Sequence, residues 1–194
     1  MRISVTLAID ELHALLLQAP ELVARYQNTD PGFIDAVMLW LTQAEATLKK
    51  YSMTRVAAVS ALKARLIASE NGVIESQLFA VADTSRARRK TRAAIAAMMF
   101  NQCQEIIGNV HETLFEQKEE ALKYLRQIVM VLEQQGLLSS SAGGSRSQAL
   151  TELLATIRAN PGSAAAVRHV LTKVNYADAL RLLDETLSDW RLAP

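Results

Sequence analysis

Five cations fall within seven residues, Arg86-Ala87-Arg88-Arg89-Lys90-Thr91-Arg92, with no acid among them. Side chains of this kind at this density either neutralise phosphates or meet carboxylates on another protein. The cluster follows Asp83-Thr84-Ser85, which reads as a helix start, and precedes a long apolar-periodic stretch. A helix N-terminus already carries about half a positive charge, so each exposed cation there opposes the dipole by roughly 0.3–1 kcal/mol. A cationic first turn therefore points to something outside the helix that uses the charge. At about 100° per residue, Arg86, Arg89 and Lys90 are expected off the apolar stripe. Arg88 and Arg92 are expected on it, in line with Ile95, Met99 and Ile106. These five basic residues are the candidate contacts for a protein partner or a phosphate backbone. No aromatic residue lies between positions 80 and 99, so base stacking has no platform. Nucleic-acid binding here would be led by the backbone and tolerant of sequence.

Other chemistry is sparse. The histidines are His13, His111 and His169, and none stands at a metal spacing from Cys103 or from another histidine. Asp10-x-x-His13 faintly resembles one arm of a carboxylate-bridged helical metal site. Such a site needs two of these motifs and two further glutamates on facing helices, and no second motif occurs. HEPN-class helical ribonucleases place an Arg four to six residues before a His, a spacing absent at all three histidines. Glu112, Glu116, Glu119 and Glu120, with Lys118, Lys123 and Arg126, read as a solvated helix face in which Glu119 and Lys123 form a stabilising i,i+4 pair. There is no Gly-rich phosphate loop and no nucleophile elbow. Cys103, inside an apolar pattern, reads as a buried thiol behaving as a small hydrophobe. The expectation is a chain without cofactor or metal and without a recognisable catalytic site; an enzyme whose site has no familiar signature is the third alternative.

The elements that must carry these residues are helical. Half of the 194 residues are hydrophobic, while Gly (7) and Pro (4) are scarce, which favours helix over strand and turn. The expected fold is an all-α helical bundle. It is built around a long helix, or a helix pair broken near 108–117, over about 84–135, with a small C-terminal three-helix unit. In the long region Ile95, Met99, Gln102, Ile106, Val110 and Leu114 step along one stripe, and Leu122, Leu125, Val129 and Leu132 continue it. The period is close to a heptad, so coiled-coil-like packing is expected. Earlier in the chain, Asp30-Pro31 predicts an N-cap for a helix over 31–51. Ser52 is expected to cap a helix over 53–68, and Asn71-Gly72 to close it. Ile3, Val5 and Leu7 alternate with Arg2, Ser4 and Thr6, the pattern of a short strand at 2–7 or of an extended lead-in.

Residues 1–137 form the expected helical body and 138–147, rich in Ser and Gly, a linker that should be the most protease-sensitive internal segment. Residues 148–194 form the small helical unit, with helices expected at 147–158, 161–174 and 176–190. Net charge is +1, so no global electrostatic pull toward nucleic acid or membrane exists. The longest apolar run, Ala93 to Phe100, cannot span a bilayer. One cysteine excludes an intrachain disulfide, and the start of the chain lacks a signal-peptide pattern. A cytoplasmic setting is expected. The functional expectation is a helical interaction or structural subunit that assembles with itself or with larger proteins. The alternative is a nucleic-acid-binding accessory subunit that contacts phosphates through residues 86–92.

Overall fold

The computed structural model describes residues 3–71, 85–136 and 145–192. About 85% of them are helical and none lies in a strand. The helices run α1 (Val5–Leu16), α2 (Ala19–Gln27), α3 (Phe33–Lys50), α4 (Val56–Glu70), α5 (Ser85–Gln134), α6 (Arg146–Ala159), α7 (Ala164–Lys173) and α8 (Tyr176–Leu192). By packing, the chain divides into two compact units, Ala8–Glu112 and Met1–Leu7 with Thr113–Pro194. The division falls inside α5. The Ser/Gly stretch expected to be a linker runs mostly through 137–144, outside the described residues.

In the unit 8–112, α3 packs against α2 and α4. Its core holds Leu12, Leu22, Val37, Trp40, Leu41, Leu48, Leu66, Met99 and Ile107. Trp40 is 2% exposed. Its indole N–H donates to the Leu15 carbonyl at 3.0 Å, satisfying one of the orphan carbonyls at the end of α1. Its ring meets Phe100 edge-on, with centroids 5.0 Å apart and planes at 70°. One side chain thus ties α1, α3 and α5 together.

In the other unit, α6, α7 and α8 pack against one another, and Leu154, Ile157, Val167, Val170, Leu182 and Leu183 are buried. The N-terminal residues join this unit through Asp178, which is 3% exposed. Its carboxylate accepts from the Ser4 hydroxyl at 2.7 Å, the Val5 N–H at 2.6 Å and the Thr6 hydroxyl at 2.6 Å. Asn175 holds the assembly from both sides: its Oδ1 accepts from the Asp178 N–H at 2.8 Å and its Nδ2 donates to the Ile3 carbonyl at 3.0 Å. A buried carboxylate needs such donors, because an unsatisfied one is costly.

This clip corrects the expected strand at 2–7. Residues 5–7 are the first turn of α1. Ser4 accepts from the Leu7 N–H at 3.3 Å, as an N-cap does, while Asp178 takes the Val5 N–H. Two orphan N–H groups of a helix start are thereby satisfied.

Two capping expectations shift. Asp30 accepts from the Gly32 N–H at 2.8 Å and closes a turn over Pro31, so α3 begins at Phe33. Ser52, expected to cap α4, instead terminates α3. It adopts the left-handed conformation (φ 50°) while the Met53 and Ser52 N–H groups return to Leu48 and Lys49. Asn71 is the C-cap of α4 as expected; Gly72 lies outside the described residues.

Helix α5 is one helix of 50 residues and passes through Gly108 without a break. Ile95, Met99 and Leu114 of the expected stripe are buried, as are Leu122, Leu125, Val129 and Leu132; between 102 and 107 the buried positions lie one residue further along. Ala96, Met99, Cys103 and Ile107 are buried, whereas Ile106 is half-buried and Gln102 exposed. Among the described residues, no helix is long and apolar enough to cross a membrane.

Candidate functional site

The basic segment opens α5, whose first turn contains no acid. Arg88, Arg89 and Lys90 are exposed and, at successive positions, wrap the helix. Arg89 and Lys90 form no ion pair with any described residue. Arg92 is half-buried, and its Nε is shut off from solvent without a hydrogen-bond partner. It stands one turn before Ile95 and Ala96, where α5 begins to bury its apolar residues. The expectation for Arg92 thus holds, whereas Arg88, placed on the same stripe by the wheel, is exposed. The Arg86 side chain lies outside the described ones. Elsewhere in the unit 8–112, Lys50 is engaged by Glu11. That pairing, with a 2.9 Å bond from the Tyr51 hydroxyl, holds the Glu11 carboxyl below its ordinary range. Lys49 and Arg55 stand at the two ends of the α3–α4 connection.

A second cluster has no local signal in the sequence. Glu120 of α5 meets His169 Nε2 at 2.9 Å and Lys173 Nζ at 2.7 Å, both on α7. The ring of Tyr124 lies 4.4 Å from that of His169. The Lys173 and His169 contacts lower the Glu120 pKa. The three side chains are 30–39% exposed, so this is a surface clasp between two helices.

His13 and His111 face each other with ring centroids 5.8 Å apart. Burial, and then the proximity of His13, push the His111 pKa down. The unfolded chain therefore takes up a proton on this residue before the folded one does, and stability falls as pH drops through 6.5. The lowered carboxylates Glu11, Glu45 and Glu120 act only near or below pH 4.5, which leaves the window above them to His111. We expect the urea midpoint to fall between pH 7.5 and 5.5, and to fall less in His13→Gln, which removes the repulsion but leaves the burial. Equal slopes in the two proteins would refute this assignment.

Cys103 is buried, and desolvation pushes its thiol up to about 12, so it is not a nucleophile at neutral pH. Among the described residues no group of three His, Cys, Asp or Glu is placed to hold a metal ion. A cleft of about 160 Å³ lies between α2 and α3, with Leu22, Ala36 and Trp40 at its apolar lining and the Glu21–Arg25 ion pair at its polar side. Typical small-molecule sites span roughly 300–1,000 Å³, so this cleft holds at most a side chain or a small fragment. Comparison with known protein families, characterised proteins and solved structures finds no match to this chain.

Proposed function

We propose that this chain is a non-enzymatic helical interaction subunit that assembles with itself or with larger protein partners. The observation that supports it most is on the second half of α5. This half buries Leu114, Leu122, Leu125, Val129 and Leu132, yet leaves Phe115, Met130 and Val131 exposed by 45, 46 and 39%. Single exposed hydrophobics are ordinary; Phe115 and Met130, about 60° apart round the helix, leave apolar area on one face that a partner can cover. Purification at low salt followed by light scattering tests the reading. The expected result is self-association in the micromolar range or a retained protein partner. A clean monomer with no partner overturns it.

A second reading is favoured by the exposed cations at the start of α5, of which Arg89 and Lys90 form no ion pair with any described residue: the subunit contacts phosphate backbone through the basic cluster 86–92. Arg89→Ala with Lys90→Ala should change thermal stability little, or raise it slightly, because cations leave the positive end of a helix. Under this reading the double variant binds generic DNA or RNA more weakly, and its log–log salt slope flattens by about 0.9 for each lost contact with duplex DNA. Absence of nucleic-acid binding in the wild type removes the reading.

A further inference from the structure

Between positions 115 and 130, α5 carries Phe115, Glu116, Glu119, Lys123, Arg126 and Met130, all exposed. At 100° per residue these six fall within an arc of about 100°. Buried Leu114, Ala121, Leu125 and Leu132 occupy the opposite side. Glu120, one position off the exposed arc, is committed to His169 and Lys173. Glu116, Glu119, Lys123 and Arg126 form no ion pair with any described residue, even though Glu119 and Lys123 are four apart on one helix.

The order of these charges is informative. Acids come first and bases second, symmetrically about one level of the helix. When two identical helices pair antiparallel about a twofold axis, residue i faces residue j with a constant i + j. Setting Glu119 opposite Lys123 puts the axis level with residue 121, and setting Glu116 opposite Arg126 puts it at the same level. Four ion pairs therefore form from one register. Phe115 then lies about one helical turn from Met130 of the second copy, where sulfur and ring make a favourable contact. Parallel pairing in the same register would set Glu against Glu and Lys against Lys. Exposed ion pairs add little affinity singly; they fix orientation and register, as interhelical charges do in coiled coils. The apolar burial comes from Phe115 and Met130.

We propose that this face of α5 binds the same face of a second copy of the chain, antiparallel, about a twofold axis level with residue 121. The proposal rests on the reading of the chain as an interaction subunit and gives that reading an occupant.

Charge reversal in the full chain tests it. E116K/E119K makes the face wholly basic, and K123E/R126E makes it wholly acidic. All four sites are exposed, so both variants should keep the wild-type circular dichroism apart from a small cost of the like charges placed four apart at 119 and 123. Sedimentation equilibrium should show a wild-type dimer, and each reversed variant alone should dissociate at about ten-fold higher concentration or more. An equimolar mixture of the two should recover a one-to-one heterodimer, because their faces are now complementary. The quadruple variant should self-associate again, which keeps the test decisive if one double variant folds poorly. If the wild type stays monomeric at about 100 μM, well above a micromolar Kd, the proposal fails together with the self-association arm of the proposed function. If it dimerises but both reversed variants dimerise equally, this face is not the contact, and the interaction reading survives without it.

Discussion

Replacing Asp178 by alanine should destabilise the unit that contains it by about 2–4 kcal/mol, the cost of leaving several buried polar groups unpaired. The carboxylate accepts from Ser4, Val5 and Thr6 at 2.6–2.7 Å. Truncation strands the Val5 N–H and the Thr6 hydroxyl, which lie at buried residues, and the α1 terminus loses the negative charge that complements its dipole. Asp178→Asn is the informative control. Its amide oxygen can still accept two bonds, but its NH2 faces a donor, so about half the loss should return. Ser4→Ala should cost about 1 kcal/mol or less, because Ser4 is half-buried and water replaces part of the bond. Urea denaturation followed by far-UV circular dichroism reads all three. An Asp178→Ala variant within about 0.5 kcal/mol of wild type, the scatter of ordinary surface changes, would mean that the clip between α1 and α8 is not what holds the N-terminal residues.

That clip also marks where sequence reading stops. Ile3, Val5 and Leu7 alternate as a strand does, but Val5, Ala8, Ile9 and Leu12 recur at helical spacing, and these are the residues the fold buries. The shorter pattern looked like the simpler one, and the partner that settles the choice, Asp178, is 173 positions away. Local periodicity carries no information about such a partner. The same holds for Glu120 with His169, 49 positions apart. Glu120 looked like one more acid on a solvated face, and only tertiary packing separates it from Glu119.

What was legible was local. The all-α class and the long helix over about 84–135 follow from composition and period, and α5 spans Ser85–Gln134. Arg92 lies on the apolar stripe and is half-buried, whereas Arg88, one turn earlier, is exposed because α5 has not begun to bury its apolar residues at that height. Helix ends were placed to within a few residues. Ser52 was misassigned because a serine that starts one helix and a serine that ends another by turning left-handed look alike in sequence; the returning N–H of Met53 distinguishes them.

Trp40→Ala should be among the most damaging single changes in the unit 8–112, at about 3–5 kcal/mol, the usual range for a large aromatic removed from a packed core. The indole is 2% exposed, and its loss combines three effects. Apolar area returns to water, a cavity opens among α1, α3 and α5, and the Leu15 carbonyl loses its indole donor. The last effect is the smallest, because Leu15 O still accepts from the Gln18 N–H at 3.2 Å. Trp40→Phe separates the contributions. It keeps an aromatic edge toward Phe100 and removes the N–H, so it should cost about 1–2 kcal/mol, a hydrogen bond plus a modest volume loss. A double-mutant cycle with Phe100→Leu isolates the ring pair, whose T-shaped geometry at 5.0 Å should give a coupling of about 0.5–1.5 kcal/mol. Chemical denaturation monitored by circular dichroism suits these variants, since Trp190 complicates fluorescence. A Trp40→Ala variant that loses less than about 1 kcal/mol, far below the range for core aromatics, would show that this core collapses around the gap. The three-helix junction would then be held by the leucines around it, Leu12, Leu15 and Leu41, and not by the indole.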